Sequence, residues 1–115
     1  MPDEPRYPSF AAFWPSYVRD HSLALTRRLH FAGLLLAFVA VLAAITLNWR
    51  LMALAPAAGY GFAWCAHFFI EQNRPATFSY PVWSLMGDFR MFWLMLRGRM
   101  DAEAARYAPD AGHAS

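Results

Sequence analysis

The chain has 115 residues, of which 58% are hydrophobic and 17% aromatic, with a formal net charge of +2 at pH 7. This composition is too apolar for an ordinary soluble domain of this size and favours a membrane protein of one domain. All the basic charge is arginine, scattered beside apolar segments without a basic run. Nucleic acid is therefore not expected as a partner.

The first predicted element is an amphipathic helix near the N-terminus. Ser9 is a candidate N-cap, and apolar residues recur from Phe10 to Val18 at the spacing of one helical face. His21 falls on that same face. Pro15 either kinks this helix or restarts it.

Two apolar stretches follow, Phe31–Trp49 and Leu51–Ile70, and Arg50 separates them. Each is close to the ~20 residues that cross a ~30 Å hydrocarbon layer, so we expect a transmembrane helical hairpin. Arginines precede the first stretch and follow the second, which places both termini in the cytoplasm by the positive-inside rule. The first stretch also offers a face of small residues for close helix packing: Gly33, Ala37, Ala40 and Ala44.

A third apolar segment, Val82–Leu96, is interrupted by Asp88 and Arg90. It predicts an interfacial C-terminal helix rather than a third span. We therefore expect residues 1–100 to form one membrane-embedded, all-α domain. Residues 101–115 are rich in Ala and polar, and we expect a disordered tail there.

Three histidines, His21, His30 and His67, fall at predicted membrane boundaries on one side, with Glu71 one helical turn after His67. Polar groups beside the hydrocarbon layer usually face a protein interior or a functional cavity. In one continuous helix His21 and His30 would lie on opposite sides, so their convergence requires a break between them. Three imidazoles that leave coordination positions open suit Fe²⁺ in an oxygen-using enzyme, and Zn²⁺ is the competing ion.

Other interpretations stay open at this point. Each histidine can be a hydrogen-bonded packing residue, and Glu71 can pair with Arg74, orient a ligating histidine or bind the metal itself. Arg74 is either a flanking charge or a clamp for a carboxylate. The sequence has no HExxH, CxxC, GxSxG or phosphate-binding glycine motif, which argues against protease, serine-nucleophile and nucleotide chemistry.

The motifs together resemble a known family of small membrane proteins, the 2-hydroxy-fatty-acid dioxygenase-like family, formerly a domain of unknown function. The resemblance covers about Ser9 to Arg99 and is strongest with the short bacterial-type branch, whereas the characterised members are longer. It is carried by these elements: the run from Phe10 to Tyr17, His21, His30 with Gly33, Gly59-Tyr60, His67, Glu71 and Arg74-Pro75.

This resemblance implies an Fe²⁺-dependent α-oxidation that shortens a 2-hydroxy fatty acid by one carbon. On the matching positions His21, His30 and His67 would carry the iron, and Glu71 would be a further ligand or a partner of one. We expect Glu71 to be catalytic, and Arg28 or Arg74 to neutralise the carboxylate of a lipid-derived substrate.

The alternative function is a non-catalytic membrane protein that binds lipid or a partner helix, with a bis-His haem protein as a third hypothesis. Membrane lipids are expected partners in either case. The sequence leaves a homo-oligomer open.

Overall fold

A computed structural model describes residues 7–108, and every regular element in that range is helical. Three short segments of other helix types join the five α-helices. They are the 3-10 helices Trp49–Ala53 and Ala76–Phe78 and the π-helix Ala66–Glu71. The α-helices are α1 (Phe10–Asp20), α2 (Ala24–Thr46), α3 (Leu54–Cys65), α4 (Pro81–Leu96) and α5 (Met100–Tyr107).

Helix α1 begins where the sequence predicts, because the Ser9 hydroxyl accepts a hydrogen bond from the amide of Ala12 at 3.1 Å. Pro15 lies inside one continuous helix. The buried face of α1 forms the main hydrophobic core with α4 and α5. Its fully buried members include Phe13, Tyr17 and Met91.

Helices α2 and α3 run antiparallel and touch at Gly33. A Cβ atom on Gly33 would lie 2.7 Å from the Cβ of Phe62 and 2.9 Å from the carbonyl oxygen of Ala58. The other small residues of the predicted face are buried too, so that prediction is confirmed: Ala37, Ala40 and Ala44.

Two helical segments of the described range are long and apolar enough to cross a membrane. They are Ala24–Thr46, with a mean hydropathy of 2.3, and Trp49–Glu71, with a mean hydropathy of 1.2. Few of their side chains are buried inside the protein. The membrane orientation of these segments, and the interfacial position expected for α4, stay predictions.

The predicted disordered tail differs from the structure over residues 101–107, which belong to α5. Met100 and Ala104 of this helix are buried in the core, and Asp101 pairs with Arg27 at 3.3 Å. The residues are mostly good helix formers, and their docking on α1 adds the tertiary contacts that a short helix needs. Residues 1–6 and 109–115 lie outside the described range.

Candidate metal centre

The structure brings His21, His30 and His67 together at the cytoplasmic end predicted for the hairpin. The Nε2 atom of His30 lies 3.1 Å from that of His21 and 3.3 Å from that of His67. All three side chains are buried, with exposed fractions of 1%, 7% and 2% for His21, His30 and His67. The three residues could hold a metal ion.

The break that convergence requires lies between α1 and α2. Helix α1 ends at Asp20, His21 is its C-cap, and α2 begins at Ala24. Arg27 fixes this turn, since its guanidinium donates to the carbonyl oxygens of His21 at 2.9 Å and Ser22 at 2.8 Å. Arg27 is almost fully buried. The sequence prediction missed it, because nothing in its spacing separates it from the exposed Arg28.

The outer nitrogen of two of the rings has a hydrogen-bond acceptor. His21 Nδ1 lies 2.6 Å from the carbonyl oxygen of Tyr17, and His67 Nδ1 lies 2.7 Å from Oδ1 of Asn73. The Asn73 amide nitrogen donates to the carbonyl of Asp20, which leaves Oδ1 as the acceptor towards His67. Both rings therefore carry their proton on Nδ1 and present an Nε2 lone pair to the centre.

Asn73 reaches His67 because of the π-helix and the residue that ends it. Gln72 has φ 58, in the left-handed region that non-glycine residues seldom adopt. This turn folds the chain back, so the backbone amide of Asn73 also donates to the carbonyl oxygen of His67, at 2.9 Å. π-helical turns inside α-helices are frequent at functional sites.

The third ring, His30, faces α4. Its Nδ1 lies 3.8 Å from Oδ1 of Asp88, the same oxygen that accepts a hydrogen bond from the Tyr17 hydroxyl. Burial raises the pKa of Asp88 to about 6, and the Tyr17 hydrogen bond opposes that rise. The Tyr17 ring stacks on His21 with centroids 4.1 Å apart. It fits only because residue 87 is glycine, whose added Cβ would lie 2.8 Å from the ring.

The two separations that involve His30 suit a metal ion shared between rings, and the ligand atoms of all three histidines lie within 4.8 Å of one another. Two nitrogens that each lie ~2.1 Å from one ion are about 3.0 Å apart at right-angle coordination and about 3.4 Å apart at tetrahedral coordination. The observed 3.1 Å and 3.3 Å fall in that interval.

The charge state of His21 also suits metal binding. Burial lowers the pKa of His21 well below its usual value, and the neighbouring rings of His30 and His67 lower it further. His21 is therefore a neutral imidazole, which is the form that binds metals.

Glu71, predicted to be catalytic, lies against the start of α2. Its carboxylate accepts hydrogen bonds from the amide of Leu23 at 2.8 Å and from the hydroxyl of Ser22 at 3.0 Å. Leu23 is the N-cap of α2 and has no side-chain cap of its own, so Glu71 supplies that cap from a distant segment. Within residues 7–108, no ion pair joins Glu71 to Arg74. A catalytic role for Glu71 stays a prediction.

The two arginines expected to bind substrate lie in different places. Arg28 is exposed and lines a cavity of about 180 Å³ with Arg27, Met100 and Asp101, away from the three histidines. Arg74 stacks its guanidinium 5.1 Å from the ring centroid of Phe78. It also lines an open depression beside Asn73, and Asn73 touches His67.

Three further residues of the centre were not among the predicted site residues: Tyr17, Asn73 and Asp88. The signal for Asp88 was present in the sequence, since a carboxylate within an apolar segment usually faces a functional interior. For Asn73 the local sequence carries no sign of the contact with His67.

A comparison with known families agrees with this geometry. Residues 7–100 match the sequence profile of the family described as 2-hydroxy-palmitic acid dioxygenase Mpo1-like. The match covers most of the chain and confirms the resemblance drawn from the sequence motifs. No curated protein and no solved structure matches the chain.

Proposed function

Since the chain belongs to the family of 2-hydroxy-palmitic acid dioxygenase Mpo1-like proteins, we propose that it is an Fe²⁺-dependent dioxygenase acting on 2-hydroxy fatty acids at a membrane face. One observation carries the proposal beyond the family description. Three buried imidazoles have their ligand atoms within 4.8 Å of one another, and His30 Nε2 lies 3.1 Å and 3.3 Å from the Nε2 atoms of the other two rings, which suits a shared ion.

The proposed reaction balances without an external reductant. One 2-hydroxy acid and one O₂ give the acid that is one carbon shorter, one CO₂ and one water. The bond between the carboxyl carbon and the hydroxyl-bearing carbon breaks, and that second carbon is oxidised to the new carboxyl group. When bound, Fe²⁺ supplies the open coordination positions and the redox chemistry that O₂ requires.

The residues of the centre have different proposed roles in binding the ion and in orienting its ligands. His21, His30 and His67 would bind the ion, and the Tyr17 carbonyl and Asn73 amide keep the Nδ1 proton on two of the rings. Asp88 faces the outer nitrogen of the third ring. Outer partners of this kind fix the direction in which each lone pair points.

Glu71 and Arg74 have supporting roles in the proposal. Glu71 ties the turn after His21 to the helix that carries His67, through its bonds to Ser22 and Leu23. Arg74 is the better candidate than Arg28 for the substrate carboxylate, since it follows Asn73 directly and lines an open depression.

Metal content decides the proposal. Protein purified without oxygen should carry about one Fe²⁺ per chain, or bind it on titration, with Zn²⁺ tested in parallel as the competitor. Admission of O₂ should convert 2-hydroxy-palmitic acid to the acid one carbon shorter, with equal amounts of O₂ consumed and CO₂ released. A protein that binds no stoichiometric metal and leaves 2-hydroxy acids unchanged would instead be a non-catalytic membrane protein.

The proposal includes a topology in which Ala24–Thr46 and Trp49–Glu71 cross the membrane and both termini are cytoplasmic. Arg27 and Arg28 lie in the first turns of Ala24–Thr46 and Arg74 follows Trp49–Glu71, whereas Arg50 alone lies near the turn between the segments. Reporter domains fused at either end should be active only in the cytoplasm. Activity of either fusion on the other side would rule this topology out.

A further inference from the structure

A cavity of about 140 Å³ lies beside His30, between α2, α3 and α4. One end of its lining is polar, since His30 and Asp88 lie next to each other there. The rest of the lining is apolar apart from the Tyr60 hydroxyl. Its apolar members include Leu34, Ala37, Pro56, Gly59 and Leu85.

The cavity is open on one side. Helices α3 and α4 both pack on α2 but have few contacts with each other, so the space between them is not closed. The floor residues His30 and Ala37 on α2 are buried. In the walls, Tyr60 of α3 is 36% exposed and Leu85 of α4 is 43% exposed. We call this cavity with its open side the lateral groove.

The dimensions of the lateral groove suit part of one acyl chain. Seven residues separate His30 from Ala37, so the floor extends ~10 Å along α2 at the rise of an α-helix. A cavity of about this volume takes a group roughly the size of benzene. The groove therefore holds the carbons next to a polar group, and a longer chain must leave through the open side. That side lies along the two candidate membrane spans, where the surroundings would be hydrocarbon.

We propose that the lateral groove admits a lipid acid sideways from the hydrocarbon layer, with its polar end directed to His30 and Asp88, and that Gly59 and Leu85 determine which chains it accepts. The identity of the polar end as a 2-hydroxy-carboxylate rests on the proposed function. The assignment of the groove as a binding site rests on the residues that line it. An amphipathic molecule matches a space that is polar at one end and apolar at the other, and no fully polar or fully apolar ligand does.

Gly59 provides the sharpest variant. A Cβ atom there would lie 3.9 Å from the Cβ of Ala37, which is an ordinary contact, so a larger side chain can start at this position and extend into the groove. Gly61 lies two residues away on α3, and an added Cβ would meet nothing within 4 Å. Gly59→Leu and Gly61→Leu are therefore a matched pair, in which only the first fills the groove.

The measurement is photo-crosslinking in the metal-loaded protein, held in lipid nanodiscs. The probe is 2-hydroxy-palmitic acid with a diazirine on the chain a few carbons from the hydroxyl group, and peptide mapping locates the adduct. We expect adducts on the groove-lining residues of α3 and α4 in the wild type and in Gly61→Leu. In Gly59→Leu labelling should fall about ten-fold or more, at unchanged metal content. Equal labelling of the two variants, or wild-type adducts outside the groove, would overturn the proposal.

A second pair tests the opposite wall and covers the case in which Gly59→Leu does not fold. Leu85→Trp narrows the open side, and Met86→Trp changes a neighbouring exposed residue that does not line the groove. Only Leu85→Trp should reduce labelling, and equal labelling of both variants would count against the groove.

Crosslinking requires no turnover, so this experiment separates the groove from the reaction. Labelling of the groove in a protein that leaves the acid intact would support the groove and reject the proposed dioxygenase. Conversion of the acid without labelling in the groove would support the proposed dioxygenase and reject the groove.

Discussion

The two ends of α2 are packed in opposite ways. At its first turns Thr26, Arg27 and His30 are buried, and many of the side-chain hydrogen bonds lie around them. At its last turns Ile45 and Leu47 are 73% and 79% exposed. One helix thus joins a densely packed polar centre to an apolar surface that water would solvate poorly.

This difference teaches where the sequence must be specific. At the packed end, which is the N-terminal end of α2, each polar atom needs one partner in one direction, so the identity of single residues matters. At the open end, which is the C-terminal end of α2, the side chains need only an apolar medium, so composition and length suffice to specify it. Substitutions at the two ends should therefore differ in both kind and size.

The largest effect should follow from removing a histidine at the packed end. His30→Ala deletes the ring whose Nε2 lies nearest to both others, so the protein should lose stoichiometric metal and all metal-dependent turnover. Metal analysis of purified protein provides the measurement, with circular dichroism to show that the helices persist. His113→Ala is the control, since His113 follows the family match, which ends at residue 100. A His30→Ala protein with full metal content would show that the centre is not a metal site.

A smaller loss should follow when only an outer partner is removed. Asn73→Ala leaves all three rings but frees His67 Nδ1, and loss of such a partner typically weakens metal binding by ~10–100-fold. A metal titration measures the affinity of the variant. Arg74→Ala is the neighbouring control and should keep the wild-type metal affinity, because the Arg74 guanidinium stacks on Phe78. Equal affinities in both variants would mean that Asn73 does not orient the ring.

A substitution at the close contact midway along α2 should change the stability of the fold and not the binding of metal. In Gly33→Ala the new methyl group meets Phe62 and Ala58 below 3 Å, and such overpacking typically costs ~1–3 kcal/mol. Gly61→Ala enters open space and should be stabilising by up to ~1 kcal/mol, since alanine favours a helix over glycine. Unfolding titrations in mixed micelles compare the two variants. Changes of the same sign would contradict the contact between α2 and α3.

The smallest effect belongs to the open end. Leu47→Ala removes a side chain with little protein around it, so the free energy of unfolding should change by less than about 0.5 kcal/mol. The same micelle titration measures this. A loss as large as that of Gly33→Ala would mean that the open end is covered by protein, as in a homo-oligomer, and not by lipid alone.

The sequence predicted the parts of this arrangement that depend on composition and local spacing. The apolar length of the spans, the Ser9 cap and the small face of α2 all follow from local rules. His21, His30 and His67 were recognisable as a set because histidines are costly at a membrane boundary and three were predicted on one side.

The rest depends on tertiary contacts that local rules do not contain. Asn73 reaches His67 only through a left-handed turn at Gln72, and Glu71 caps a helix that begins nearly fifty residues earlier. Helix α5 is short and polar, so its helix-forming residues do not suffice alone, and docking on α1 supplies the contacts that order it. The choice of Arg27 over Arg28 as the buried arginine likewise depends on where the chain turns.

The π-helix Ala66–Glu71 also makes the length of the chain important there. Its hydrogen bonds run from residue i to i+5 instead of i+4, so it holds one more residue than an α-helical turn at the same place. Deleting one residue would restore an α-helix that is still long and apolar enough to cross a membrane, but it would turn His67 about 100° away from Asn73 and Glu71. Homologous chains that keep the centre should therefore tolerate substitutions along this helix more readily than a gap within it.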